Sequence, residues 1–165
     1  AAAQGADVSD PEVQTAVREQ ALEVLINTAL LKQAAEDRGI TVADEEVKDQ
    51  IEIITTDVGG EEALTERMNE MSISEDQLNE DVRDDILIQG VLDTIFAEQA
   101  VAVSDEEIAE YYDAIVASNA DNEIEIPTLE DLRDRIEGDL VSSKEQEAID
   151  IFLTEAREAA EIEIK

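Results

Sequence analysis

Between residues 74 and 100 the apolar side chains fall into three rows, Leu78/Val82/Ile86, Leu87/Val91/Ile95 and Ile88/Leu92/Phe96, each stepping by four residues. Steps of four stack side chains along one side of an α-helix, and three neighbouring rows describe a helix that is apolar around much of its girth. At 1.5 Å per residue the segment predicts a helix roughly 40 Å long. A chain built around such an element is expected to be mainly α. Gly90 lies inside the rows and predicts a place of close crossing.

Composition then limits what can surround this helix. Hydrophobic residues make up 43% of the 165 residues but aromatics only 2%, so the core has to be Leu, Ile, Val and Ala. A chain of this length buries roughly 70% of its unfolded surface, which is enough for a core. The net charge of −34 would suit a disordered chain if the apolar residues were scattered, but their helical spacing predicts a folded one. With 45 acidic against 11 basic residues the surface repels nucleic acid and disfavours anionic membranes. No run of about 18 apolar residues is present to insert into a bilayer. The acidic, Lys-poor balance is what a high-salt habitat favours, since screening over about 3 Å at 1 M removes most self-repulsion.

The remaining helices follow from their ends. Ser9 with Glu12, and Pro11 in the first turn, predict a start that Gly39 closes. Between them Val13, Val17, Ala21, Val24, Thr28, Leu31 and Ala35 form one stripe, flanked by Leu22, Leu25, Ile26, Ala29 and Leu30, a face wide enough to touch more than one partner element. Further helices are expected from about Asp44 to Val58, from Glu61 to Met71, from Ser104 to near Ala117, and from a Thr128 cap onward. The last would turn Leu129, Leu132, Ile136, Leu140, Ala148, Phe152 and Ala156 inward. The period-two segments EIEIP (123–127) and EIEIK (161–165) predict short strands.

Two acidic phrases, ITVADEEVKDQIE (40–52) and VAVSDEEIAEYYD (101–113), are nearly the same. Both are helix starts. Ser104 with Glu107 forms a capping box, Ser74 with Gln77 another, and Ala43 with Glu46 keeps the frame without the hydroxyl. Their spacing of about 30 residues suggests a helical repeat, but the helices that follow differ in number and length, which argues against a solenoid. The fragments DVGGEE and NADNEIE echo calcium loops without the full ligand spacing, so solvated helix faces are the better reading. With neither His nor Cys, and no phosphate-cradling Gly loop or Gly-x-Ser-x-Gly, no catalytic, metal or cofactor-binding residue is expected. Tyr111 and Tyr112 are read as packing at the fifth helix.

The run EVLINTALLKQAAEDRGITVADEEV (23–47) resembles the start of the chaperone domain in SurA-like and PrsA-like foldases of the bacterial cell envelope. The similarity rests on Leu25, Ile26, Asn27, Leu30, Leu31, Ala34, Gly39, Ile40, Val42 and Val47. GGEEALTERMNEMSISEDQLNEDVRDDILIQGVL resembles the next part, VSDEEIAEYYD the exit helix, and the segment from TLEDL to the terminus the returning helix and strand. Relatives often carry a parvulin-type prolyl isomerase between exit and return. Here that interval is residues 118–127, too short to hold one. The family's usual N-terminal strand and short helix, ahead of the first long helix, are expected to be either absent or cut away.

The resemblance therefore implies one helical chaperone domain, made of residues 1–117 and a returning part, 128–165, joined by the linker 118–127. Its implied activity is that of an ATP-independent holdase for unfolded exported polypeptides, extracytoplasmic and without isomerase activity. The opening AAAQGADVSD shows no signal peptide, and its lack of a Met is compatible with removal of an upstream segment. Met68 and Met71, adaptable side chains near a helix end, are the candidate client contacts. The alternative is a helical scaffold whose stripes are buried in a homodimer.

Overall fold

The computed structural model describes residues 11–119 and 126–160, and among them it contains six helices and no strand. These are α1 (Pro11–Arg38), α2 (Asp44–Val58), α3 (Glu61–Met71), α4 (Glu75–Glu98), α5 (Asp105–Ser118) and α6 (Leu129–Ala159). The chain is mainly α, and α2 and α3 span the segments that capping and glycine signals marked. Ser9, the expected strand at 161–165 and most of that at 123–127 lie outside the described residues. The chain forms two compact units, Ala1–Val91 and Leu92–Lys165.

Helix starts are set by short polar loops. The Ser104 hydroxyl accepts from the Glu107 N–H at 3.3 Å, and the Glu107 carboxylate accepts from the Ser104 N–H at 2.9 Å. Thr128 with Asp131 opens α6 in the same way, and Ser74 with Gln77 opens α4. At α2 only the return arm exists, from the Ala43 N–H to Glu46 at 2.7 Å, because alanine has no oxygen to offer.

Four helices end alike. At α1 the Ile40 N–H reaches back to Ala35 O and the Gly39 N–H to Glu36 O, with Gly39 left-handed at φ +66°. The same double hydrogen bond closes α2 at Gly59, α3 at Ser72 and α4 at Ala100. Ser72 (φ +57°) and Ala100 (φ +49°) carry side chains in a conformation that costs a non-glycine residue about 1–2 kcal/mol.

In the first unit Leu30, Leu31, Ala34 and Ala35 of α1, Val47 of α2, and Val82 and Val91 of α4 are buried. A Cβ on Gly90 would stand 3.2 Å from Ile40 Cγ2, so the close approach at this glycine comes from the connection after α1. Two adjacent residues of α4 tie this unit together. Asp84 receives Lys32 of α1 at 2.7 Å, a hydrogen bond that raises the Lys32 pKa against the opposing effect of burial. Arg83 donates to Val42 O at 2.8 Å and to Asp44 Oδ1 at 2.6 Å, fixing the start of α2.

In the second unit the buried side chains are Ile95, Ile108, Ile136 and Ala148. The expected inner face of α6 is buried or half-buried at all seven positions. Lys144 of α6 donates to Ala102 O and to Glu107 Oε1, each at 2.6 Å, while Arg133 pairs with Asp105 at the head of α5. That contact raises the Arg133 pKa. Glu107, which accepts from Lys144 and then from Ser104, has its pKa lowered from 4.5 to about 2.

These caps and ties carry two expectations. Ser104→Ala should lose on the order of 0.5–2 kcal/mol in a denaturant titration, whereas Ala43→Ser should be neutral or stabilising. A loss on placing serine at 43 would show that the α2 cap is not of this kind. Because the folded Glu107 pKa lies below its ordinary value, its contribution is complete above about pH 4.5 and fades as pH falls toward 2. Glu107→Gln should therefore destabilise at pH 7 and converge with the parent across that window. A constant difference between the two proteins from pH 7 to 2 would remove Glu107 from the account.

Candidate functional site

α1 continues for several turns beyond the part that is buried. Its segment PEVQTAVREQALEVLINTA, residues 11–29, contains no buried residue, and burial begins at Leu30. Ala, Leu, Glu and Gln favour a helix here, but helicity in isolation is marginal at such lengths in water. Val17, Val24 and Leu25 are 58%, 59% and 66% exposed. Val17 and Val24 are seven residues apart, and Val17, Ala21 and Leu25 form a row of fours, so they lie on one side of the helix. The wide face expected to meet several elements is fully buried only from Leu30 onward; ahead of it Val13, Leu22, Ile26 and Thr28 are half-buried, and Val17, Val24 and Leu25 stand exposed.

The electrostatic setting favours this stripe as a place for apolar contact. Residues 11–29 carry Glu12, Glu19 and Glu23 against Arg18, whereas α2 carries six carboxylates in its 15 residues against Lys48 alone. Ile53 of α2 is also exposed, but it sits in an open groove with Asp49, Glu52, Thr56 and Asp57. An apolar partner at Ile53 would have to desolvate carboxylates; along α1 it would meet fewer.

Met68 and Met71 both lie on α3, which has no buried residue. Met68 is half-buried, and its carbonyl accepts the Ile73 N–H that closes the helix. Met71, in the last turn, is 69% exposed. The shallow depression along α3 is lined by Glu61, Glu62, Thr65, Glu66, Asn69 and Glu70 and includes neither methionine. Val17 and Val24, with Leu25 flanking them, belong to the wide α1 face whose periodicity predicts contact with partner elements. Periodicity identified the face but could not show that it stays uncovered.

In the second unit Tyr112 is half-buried and donates from its hydroxyl to Pro127 O at 3.1 Å, pinning the chain just before α6 to α5. Tyr111 stands beside it, 41% exposed. No cluster of three or more metal-ligating side chains occurs among the described residues. No helix among them is long and apolar enough to cross a membrane.

The SurA-like N-terminal domain family matches residues 1–92. No curated protein and no solved structure matches the chain. The matched stretch ends one residue past the first compact unit and includes the buried end of α1, the α2–α3 pair and α4 as far as Leu92. By that match, and in keeping with its helical architecture, the chain belongs to the SurA-like N-terminal domain family.

Proposed function

We propose that the protein is an ATP-independent holdase that shields unfolded exported polypeptides, working outside the cytoplasm and without prolyl isomerase activity. Membership of a chaperone-type domain family supports the role, and the uncovered apolar stripe of α1 is the observation that carries it. Covering a Val or Leu side chain that is more than half exposed is worth on the order of 1 kcal/mol. A few such contacts compete with the ordering of an unfolded client, so binding is weak and reversible, as suits a protein that must release what it holds. Met71 adds an adaptable contact at the end of α3.

A chemically unfolded client diluted into buffer should aggregate less in the presence of this protein, with no nucleotide added. The double variant Val17→Ser/Leu25→Ser should need several-fold more protein for the same protection. Because both side chains are exposed, folding should be little changed. Protection should persist at 1 M salt, where apolar contact is retained and charge attraction is screened. Undiminished protection by the double variant would remove α1 from the mechanism. Absent protection by the parent, together with a dimer in sedimentation, would favour a scaffold.

In a refolding reaction limited by proline isomerisation, the protein should leave the uncatalysed rate of tens to hundreds of seconds unchanged. Acceleration would mean that this chain holds an isomerase site.

A further inference from the structure

The second unit contains a more enclosed apolar feature than the α1 stripe. Between α5 and α6 a groove of about 360 Å³ is walled by Tyr111 and Ile115 on one side and Leu132 and Ile136 on the other, with Ile126 and Pro127 at its end. Ile136 is buried, whereas Ile115, Ile126 and Leu132 are half-buried and Tyr111 stands exposed at the rim. Each wall is a pair of residues four apart on its helix, so the groove runs between two ridges. The hydroxyl of Tyr112 on Pro127 O holds the end in place. The volume is near the lower end for small-ligand sites and fits one or two aliphatic side chains.

The charge around it is one-sided. α5 carries Asp105, Glu106, Glu107, Glu110 and Asp113 and no basic residue. The first twelve residues of α6 carry Glu130, Asp131, Asp134, Glu137 and Asp139 against Arg133 and Arg135. Arg133 is committed to Asp105, and Arg135 lies 4.0 Å from Asp139, both of the latter pair lining the groove. Lys144, farther along α6, holds Glu107, so ten carboxylates stand against three cations. The lining itself pairs Arg135 with Asp139, but the surrounding helix faces are net negative, and at about 10 Å screening length that field reaches whatever flanks a side chain seated there.

We propose that this groove binds extended polypeptide segments in which an aliphatic side chain, such as Leu, Ile or Val, is bordered by Lys or Arg. The aliphatic group fills the space over Ile136 between Tyr111 and Leu132, and the flanking cations lie along the acidic faces of α5 and α6. This deepens the holdase reading and rests on it, since it gives the client a local sequence preference. The preference is for contact chemistry and not for a fold, so any unfolded chain presenting such a segment qualifies.

The full chain lacks Trp and has only Tyr111 and Tyr112, so a peptide without aromatics can be followed by tyrosine emission and, when dye-labelled, by anisotropy. At 0.1 M salt a peptide with one Leu between lysines should bind about ten-fold more tightly than the same peptide with glutamates. Replacing its Leu by Ser should weaken binding several-fold. At 1 M salt the preference for lysine should collapse while that for Leu survives.

Tyr111→Ala, at the rim, should weaken the Lys-flanked peptide several-fold with unchanged circular dichroism, and Ile115→Ser should do so more strongly. Equal binding by Tyr111→Ala and parent, or indifference to the peptide's Leu, would overturn the proposal. So would a concentration-dependent dimer that Tyr111→Ala abolishes, because it would give the groove to a second copy. Val17→Ser/Leu25→Ser should leave peptide binding intact, and the two assays separate the readings: peptide binding by the parent protein without protection of an unfolded client would count against the holdase role alone.

Discussion

Eleven basic side chains have to serve 45 acidic ones, and the helices are positioned by where those few cations go. Apolar contact between aliphatic helices is strong but non-directional, and a core of Val, Ile, Leu and Ala does not by itself fix the register of one helix against another. Lys32 joins α1 to α4, Arg83 joins α4 to the start of α2, and Arg133 and Lys144 join α6 to α5 and the segment before it. Each contact names a particular pair of turns. The apolar rows provide the burial, and the cations select one register in which the rows are satisfied.

The helices themselves were legible because their limits are local. Ser104 with Glu107, Thr128 with its first turn, and the glycines at 39 and 59 set starts and stops through hydrogen bonds made within a few residues. What covers a helix depends on residues far away in sequence, and this was not legible. The stripe on α1 was visible as a period, but its exposure at Val17, Val24 and Leu25 was not. The close approach at Gly90 could be anticipated, whereas its partner, Ile40, lies 50 residues earlier. The groove beside Tyr111 requires two helices and the chain before α6 to come together, and no single segment announces it.

The family match and the compactness of the chain divide it at nearly the same point, after Val91 and after Leu92. The first unit is thus what this chain shares with SurA-like proteins in recognisable form. The second, with α5, α6 and the groove between them, lies beyond the matched residues. The paired tyrosines there are half of all the protein's aromatic residues.

Two of the cationic ties share a further property. Arg83 and Lys144 each bind one carboxylate and one main-chain carbonyl, Val42 O at 2.8 Å and Ala102 O at 2.6 Å. Dissolved ions weaken attraction between full charges over a distance, but they do little to a hydrogen bond at contact range on an uncharged oxygen. Each of these side chains thus has one attachment that concentrated electrolyte loosens and another that it leaves largely alone. Both carbonyls belong to the connections just ahead of α2 and α5, so the turns that launch those two helices stay anchored across a wide span of ionic strength, even where the rest of the surface electrostatics has faded.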